Sequence, residues 1–198
     1  RGGSERCIRD RLATSRALLS NSIDEIPGVI IPKKTINELS KLLSENYDNI
    51  EIEISSSKII FYIDKLILIS KLIDGNFPDY EKVIPTENSN IVTLDCLLFS
   101  ESVDRVSTIF SDKSRSVRIS LSSNQLSLEA NSPDTGSASE EIEISYENEE
   151  MSIGFNAKYL LDVTSQVGSG NFNISLKDSG SPALISMPDD AELSLIHI

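Results

Sequence analysis

Short alternations of apolar and polar residues dominate the chain and predict a fold rich in antiparallel strands. Residues 50–54 alternate Ile and Glu, which is typical of a half-buried strand. Two apolar runs, 58–63 and 66–72, flank Asp64-Lys65 and predict a hairpin. Further short strands are predicted at 118–121, 125–130, 141–146, 171–176 and 183–187.

Three segments with helical periodicity interrupt these strands, so the predicted fold class is α+β. The first begins at Pro32, a residue favoured in a first helical turn, and continues to about residue 44. The second covers 95–110, and the third begins at Asn156, a favoured N-cap. The stripes expected to face the core are Ile36, Leu39 and Leu43; Phe99, Val103, Val106 and Phe110; and Tyr159, Leu160, Val163 and Val167.

Two distant segments, residues 31–39 and 155–163, share one pattern. In each, an apolar residue precedes a helix start, a Lys stands in the first turn, and apolar residues follow at matching offsets. Each predicted helix gives way to a polar turn and then to a strand, 50–54 in one copy and 172–176 in the other. The repeat therefore predicts two copies of an α+β unit, with a boundary near residues 85–90.

The connector over residues 70–85 is unusually apolar. It turns at Asp74-Gly75 and then carries Phe77, Pro78, Tyr80 and Val83. Connectors are usually polar, because exposed apolar side chains gain nothing in water. The connector therefore either packs against its own fold or forms a site for a partner. We interpret Phe77 and Tyr80 as core residues.

Composition narrows the classes of function. The chain has 198 residues with 31 acidic and 18 basic side chains, for a net charge of -13. That balance argues against gripping nucleic acid with the whole surface, and it leaves room for one basic face. The two cysteines, Cys7 and Cys96, make no disulfide framework or metal-ligand spacing. With no membrane-length apolar run and no signal-peptide core, we expect a cytoplasmic location.

Candidate catalytic groups are few, and we expect neither catalysis nor a cofactor or metal. The single histidine, His197, has no nucleophile and acid in a credible arrangement around it. The acidic pairs are most simply explained as solvated charge. The acidic residues considered were Glu140, Glu141, Glu149 and Glu150, together with Asp189, Asp190 and Glu192 as a metal site.

Four segments together resemble the bacterial sliding clamp, the beta subunit of DNA polymerase III. They are residues 31–34 (Ile-Pro-Lys-Lys), the connector 70–85, residues 111–118 and residues 153–160, in family order and at family spacing. The resemblance covers about residues 11 to 187. It implies repeated sliding-clamp domains with antiparallel sheets outside and helices lining a DNA channel.

The resemblance also implies a domain plan. Residues 1–87 correspond to the latter half of the clamp's middle domain, and 88–198 to most of its C-terminal domain. The first ten residues and the last six depart from the family, so we expect foreign or misread ends and a missing final strand.

In the family, cations on the channel helices attract the phosphate backbone without reading sequence. Solvated helix faces are the alternative explanation for the same residues. The positions that carry over as DNA-facing are Lys33, Lys34, Lys41, Arg105 and Lys158.

A cleft between the family's middle and C-terminal domains receives short peptide motifs from polymerases and other partners. The positions that carry over to it are Arg11, Leu12, Pro78, Lys82, Val83, Asn156, Tyr159, Gly180 and Pro182. Thr108 and Ile109 are candidates for the joint of the two-chain ring.

The resemblance implies a non-catalytic processivity factor that encircles duplex DNA and binds polymerase and clamp-loader subunits. We expect a homodimer ring for the full-length protein, a monomer for this piece, and no membrane contact. Two alternatives stay open: a peptide-binding adaptor without DNA contact, and an α+β metal-dependent hydrolase. Replacing the helix cations separates the first alternative, and an assay for metal-dependent cleavage separates the second.

Overall fold

The computed structural model describes residues 2–8, 11–17, 28–43, 49–77, 79, 82, 84–110, 116–187 and 193–196. The chain divides into two compact units. The larger unit comprises Arg1–Ser20 and Tyr80–Ile198, and the smaller unit comprises Asn21–Asp79. The domain boundary expected between residues 87 and 88 stays a prediction.

Runs of antiparallel strands separate the helices along the described ranges, as expected for the α+β class. The strands are β1 (Gly2–Ile8), β2 (Arg11–Ala17), β3 (Glu51–Ile54), β4 (Lys58–Ile63), β5 (Leu66–Lys71), β6 (Asn90–Asp95), β7 (Ser116–Ser122), β8 (Gln125–Ser132), β9 (Gly136–Glu143), β10 (Met151–Asn156), β11 (Asn171–Leu176), β12 (Ala183–Ser186) and β13 (Leu193–Ile196). The helices are α1 (Lys33–Leu42), α2 (Cys96–Ser107) and α3 (Ala157–Val167). All three predicted helices are confirmed.

The smaller unit is α1 followed by an antiparallel sheet in the order β3-β4-β5. The predicted hairpin is confirmed, and Asp64 takes a positive φ of 49° at its turn, a conformation that Asp tolerates. Strand β4 alternates strictly, with Ile59, Phe61 and Ile63 buried on one face. These three side chains form the core of this unit.

The predicted apolar stripe of α1 is partly wrong. Leu39 and Leu42 pack against the core of the smaller unit, whereas Ile36 and Leu43 are 43% and 38% exposed. The helix is turned so that Thr35, buried at 8%, faces β5, where its Oγ1 lies 2.6 Å from Ser70 Oγ. That hydroxyl contact and the packing of Leu39 and Leu42 define a rotation of α1 that the apolar pattern alone does not reveal.

In the described ranges, the larger unit has two antiparallel sheets and two helices. Its six-stranded sheet has the order β1-β2-β13-β12-β11-β6, and its four-stranded sheet has the order β10-β7-β8-β9. Helices α2 and α3 contact each other, and one continuous core joins both sheets to both helices. Phe99 of α2 and Phe172 of β11 meet edge to face in that core, with ring centroids 5.4 Å apart.

Caps set the helix starts of the larger unit. Asp95 accepts the backbone N–H of Leu98 at 2.8 Å, and Asn156 accepts that of Lys158 at 3.0 Å. The first turn of α1 differs, because it follows Pro32 without a side-chain cap.

The internal repeat is confirmed by topology. In one copy α1 leads into β3, β4 and β5, and in the other α3 leads into β11, β12 and β13. In both copies the three strands are neighbours in that order and pair antiparallel.

The strand predictions need three corrections. The strand expected at 141–146 is β9, which starts at Gly136 and leaves the ladder after Glu143, where the backbone turns to donate from Ile144 to the carbonyl of Asn124. Strands β1, β2, β6 and β10 had not been predicted. The final strand expected to be missing is present as β13, which pairs with both β12 and β2.

Candidate nucleic-acid and peptide interfaces

The exposed face of α1 is basic. Lys33, Lys34 and Lys41 are all exposed there, and with Asn37, Glu38 and Ser40 they line an open surface depression. Lys41 Nζ lies 2.9 Å from Glu38 Oε1, an exposed i, i+3 pair that water screens strongly. Three lysines and one glutamate leave this helix a net charge of +2. Helix α1 therefore presents a positive face, although the chain as a whole has a net charge of -13.

The exposed faces of α2 and α3 are less basic than that of α1. Glu101, Asp104 and Arg105 lie on α2, and Lys158 and Asp162 lie on α3. All five are exposed. Three carboxylates against two cations give the pair of helices a net charge of −1.

Arg105, one of the predicted DNA-facing residues, is held by carboxylates. Its Nε donates to Glu140 Oε2 at 3.0 Å, and its Nη2 donates to Glu140 Oε1. Its Nη1 lies 3.5 Å from Glu101 Oε2. The side chain of Ser102, which is fully buried, also donates to Glu140. The Arg105 hydrogen bond lowers the pKa of Glu140, and the same bond raises the pKa of Arg105. Arg105 keeps its positive charge, but the neighbouring carboxylates of Glu140 and Glu101 weaken its attraction for a phosphate.

Strand pairing brings several predicted peptide-binding positions to one region of the six-stranded sheet. Pro182 immediately precedes β12, whose first residue, Ala183, pairs with Ile196 of β13. Ile196 pairs in turn with Arg11, and the adjacent row contains Leu12. Neighbouring strands lie about 4.8 Å apart, so Arg11 is about 10 Å from Ala183 across the sheet.

The loop between β11 and β12 holds Gly180 and Pro182. Asp178 accepts the backbone N–H of Gly180 at 2.9 Å and the hydroxyl of Ser181 at 2.8 Å. The Gly180 bond is the largest cause that lowers the pKa of Asp178. Asn88, which the sequence interpretation had missed, donates through Nδ2 to the carbonyl of Pro182 at 3.0 Å. Because the partners are 94 positions apart, no local signal could have found this hydrogen bond.

The other predicted peptide-binding residues are placed in different ways. Asn156 is exposed and its side-chain oxygen caps α3, while Tyr159 is half-buried against the core of the larger unit. Lys82 is exposed. Pro78 and Val83 lie outside the described residues, as does Tyr80. Phe77 was expected in the core and is 37% exposed.

The predicted ring-joint residues follow α2. Thr108 is exposed and its hydroxyl donates to the carbonyl of Arg105 at 2.7 Å. Ile109 is half-buried and packs against the core, and its carbonyl accepts the hydroxyl of Thr135. Ile109 therefore packs against the core of its own unit. Only its exposed part would be available to the predicted ring joint.

In the part of the chain that the structure describes, no three His, Cys, Asp or Glu side chains lie close enough together to hold a metal ion. His197, Asp189, Asp190 and Glu192 lie outside that part. The helices of the described part lack the length and hydrophobicity that a membrane span requires.

Two family models match the chain in succession. The central domain of the DNA polymerase III beta subunit matches residues 9–79, and the C-terminal domain of the same subunit matches residues 81–198. The chain belongs to the DNA polymerase III beta subunit family.

Members of this beta subunit family resemble the chain in sequence and in structure. The beta sliding clamp of Caulobacter vibrioides is 41% identical over 180 residues, which is 91% of this chain and 48% of that protein. A Bartonella birtlesii DnaN sliding clamp bound to griselimycin superposes with a TM-score of 0.93 at 40% identity, covering 98% of this chain and 53% of that one. A Pseudomonas aeruginosa DnaN sliding clamp bound to griselimycin gives a TM-score of 0.92 at 32% identity, covering 98% and 53%.

The fold of the chain is therefore that of a sliding clamp, as the resemblance implied. The chain spans about half the length of the relatives that it matches.

Proposed function

We propose that this chain is part of a DNA sliding clamp, a non-catalytic accessory subunit that holds duplex DNA without reading its sequence. The basic face of α1 carries the proposal. Exposed lysines that neutralise phosphates supply affinity that depends on salt and not on base sequence. Lys33, Lys34 and Lys41 provide three such charges on one helix.

The family supports the wider activity. In this proposal the full-length protein closes a homodimeric ring, with Thr108 and Ile109 at the joint, and tethers polymerase and clamp-loader subunits to DNA. The two helices of the larger unit contribute weakly, since their exposed faces carry a net charge of −1. We therefore assign most of the DNA binding of this chain to α1, with Lys158 and Arg105 as lesser contributors.

We also propose that the sheet region containing Arg11, Leu12, Gly180 and Pro182 binds a peptide-like ligand, together with Lys82, Val83, Asn156 and Tyr159 of the same unit. A peptide-binding role for Pro78 stays a prediction from the resemblance. Two relatives are known in complex with griselimycin, which makes that compound a suitable probe.

The DNA proposal is tested by the salt dependence of duplex binding, measured by anisotropy of a labelled duplex. We expect the triple variant Lys33→Ala, Lys34→Ala, Lys41→Ala to bind more weakly, with a salt slope shallower by about 0.9 for each phosphate that is no longer neutralised. The matched control replaces Lys58, Lys65 and Lys71, which are exposed on the strands and hairpin turn of the same unit. It removes the same charge from a different surface.

Equal losses of affinity in the two triple variants would show that total charge, and not the α1 face, sets the affinity. A peptide-binding adaptor without DNA contact would bind no duplex in any of the three forms. Either result would contradict the proposal.

A further inference from the structure

A single side chain, that of Asn88, bridges the two arms of the β11–β12 hairpin. Its Nδ2 donates to the carbonyl of Ser175 on β11 at 2.9 Å and to the carbonyl of Pro182, just before β12, at 3.0 Å. Both acceptors are backbone atoms about ninety positions from the donor. The segment that follows the apolar connector is thereby fixed to the loop that carries Gly180 and Pro182.

The orientation of this amide is determined by its surroundings. Reversing it would place Oδ1 against two carbonyl oxygens, which repel it. In the present orientation Oδ1 is buried and has no hydrogen-bond partner among the residues described. A buried acceptor left unpaired lowers stability, so an amide is a poor choice at this position if stability alone matters.

Neighbouring contacts of the same segment are weaker. Glu87 and Lys177 form an ion pair at 2.6 Å, with side chains that are 74% and 47% exposed, and exposed pairs contribute little. Asn90 Nδ2 reaches the carbonyl of Lys177 at 3.4 Å, a long hydrogen bond. Apart from the backbone ladder between β6 and β11, Asn88 therefore makes the principal side-chain contact between this segment and the hairpin.

The loop is held from two sides. Asp178 fixes Gly180 from within the loop, and Asn88 fixes Pro182 from outside it. Pro182 adjoins the row of paired residues Ala183, Ile196 and Arg11. A shift of Pro182 would displace one border of the surface proposed to bind peptide.

We propose that Asn88 is a positioning residue for peptide recognition, holding the Gly180–Pro182 border in its binding geometry. The inference rests on the proposed peptide-binding function of the same surface. It assigns to Asn88 no contact with the ligand itself.

The test measures griselimycin binding to the 198-residue chain by calorimetry, for the unsubstituted chain and for Asn88→Ala and Asn88→Asp. Aspartate keeps the size of asparagine; ionised it has no donor, and protonated it donates only one hydrogen bond, so both variants break the bridge between Ser175 and Pro182. Removing two hydrogen bonds to the backbone predicts affinity weaker by about tenfold. Hydrogen exchange at the amides of Gly180 and Ser181 should become faster in both variants.

Tyr146→Phe provides a matched control in the same unit. It removes one side-chain hydrogen bond to a backbone carbonyl, that of Glu149 at 2.7 Å, while the buried ring stays. We expect it to bind griselimycin like the unsubstituted chain.

The outcomes distinguish a failure of the positioning role of Asn88 from a failure of the peptide-binding proposal. Unchanged affinity in both Asn88 variants would overturn the positioning role and leave peptide binding intact. A drop in affinity in Tyr146→Phe as large as that in Asn88→Ala would overturn it too, because general destabilisation would then explain both. No binding by the unsubstituted chain would overturn the peptide-binding proposal and this inference with it.

Discussion

The two copies of the repeat begin with the same local pattern and use their helices differently. In the alignment of residues 31–39 with 155–163, Ile36 of α1 occupies the position of Leu160 in α3. Leu160 is 1% exposed in a core shared with α2, whereas Ile36 is 43% exposed on a helix that packs on its own strands. One sequence pattern therefore specifies where each helix begins, while the elements packed around the helix decide which side chains are buried.

The helices of the two copies also differ in charge. Helix α1 has three exposed lysines, and α3 has Lys158 offset by Asp162. Because α1 carries the stronger positive face, the proposed function predicts that electrostatic attraction to DNA is concentrated in one copy of the repeat.

The largest effect is expected from truncating the two aligned residues. Leu160→Ala should lower the free energy of unfolding by about 2–5 kcal/mol, because it opens a cavity in a fully packed core. Ile36→Ala should cost about 0.5 kcal/mol or less, since much of that side chain already contacts water. Urea unfolding followed by circular dichroism measures both, and equal costs would mean that the two positions are equally buried.

A smaller effect is expected at the helix caps. Asn156→Ala removes the hydrogen bond to the backbone of Lys158 and should cost about 1 kcal/mol. Pro32→Ala should cost less, because Pro32 makes no side-chain cap. The same unfolding experiment compares them, and a larger cost at Pro32 would contradict the difference between the two helix starts.

The smallest effect concerns the Arg105–Glu140 pair and depends on pH. Because Arg105 holds the pKa of Glu140 below its ordinary value of 4.5, the pair contributes stability that is fully present above that value. This contribution disappears as the pH falls through the lowered pKa. The difference in Tm between the unsubstituted chain and Glu140→Gln should therefore shrink below pH 4.5, and a difference that grows there would have the wrong sign.

The parts of the fold that could be predicted are those set by local sequence. Helix starts at Asp95 and Asn156 depend on a cap within three residues, and β4 follows from strict alternation. Strand β9 was misplaced because residues 136–140 carry no alternating apolar pattern, and its course is set by pairing with β8.

The candidate site also has features that local sequence predicts and features that depend on the folded chain. The lysines of α1 were predictable, because a helical period places them off the apolar stripe. The rotation of that helix was not, since Thr35 meets Ser70, a residue 35 positions away in sequence. The Asn88 hydrogen bonds and the engagement of Arg105 by Glu140 join residues far apart in sequence, and only the folded chain reveals them.

The most direct test of the account is a map of which helix meets DNA. Backbone amide chemical shifts of the chain would be recorded by NMR while duplex DNA is added at low salt. We expect the largest changes at Lys33, Lys34 and Lys41 of α1, with smaller changes at Arg105 of α2 and Lys158 of α3. Changes confined to α2 and α3, with α1 unaffected, would contradict the assignment of DNA binding to the smaller unit.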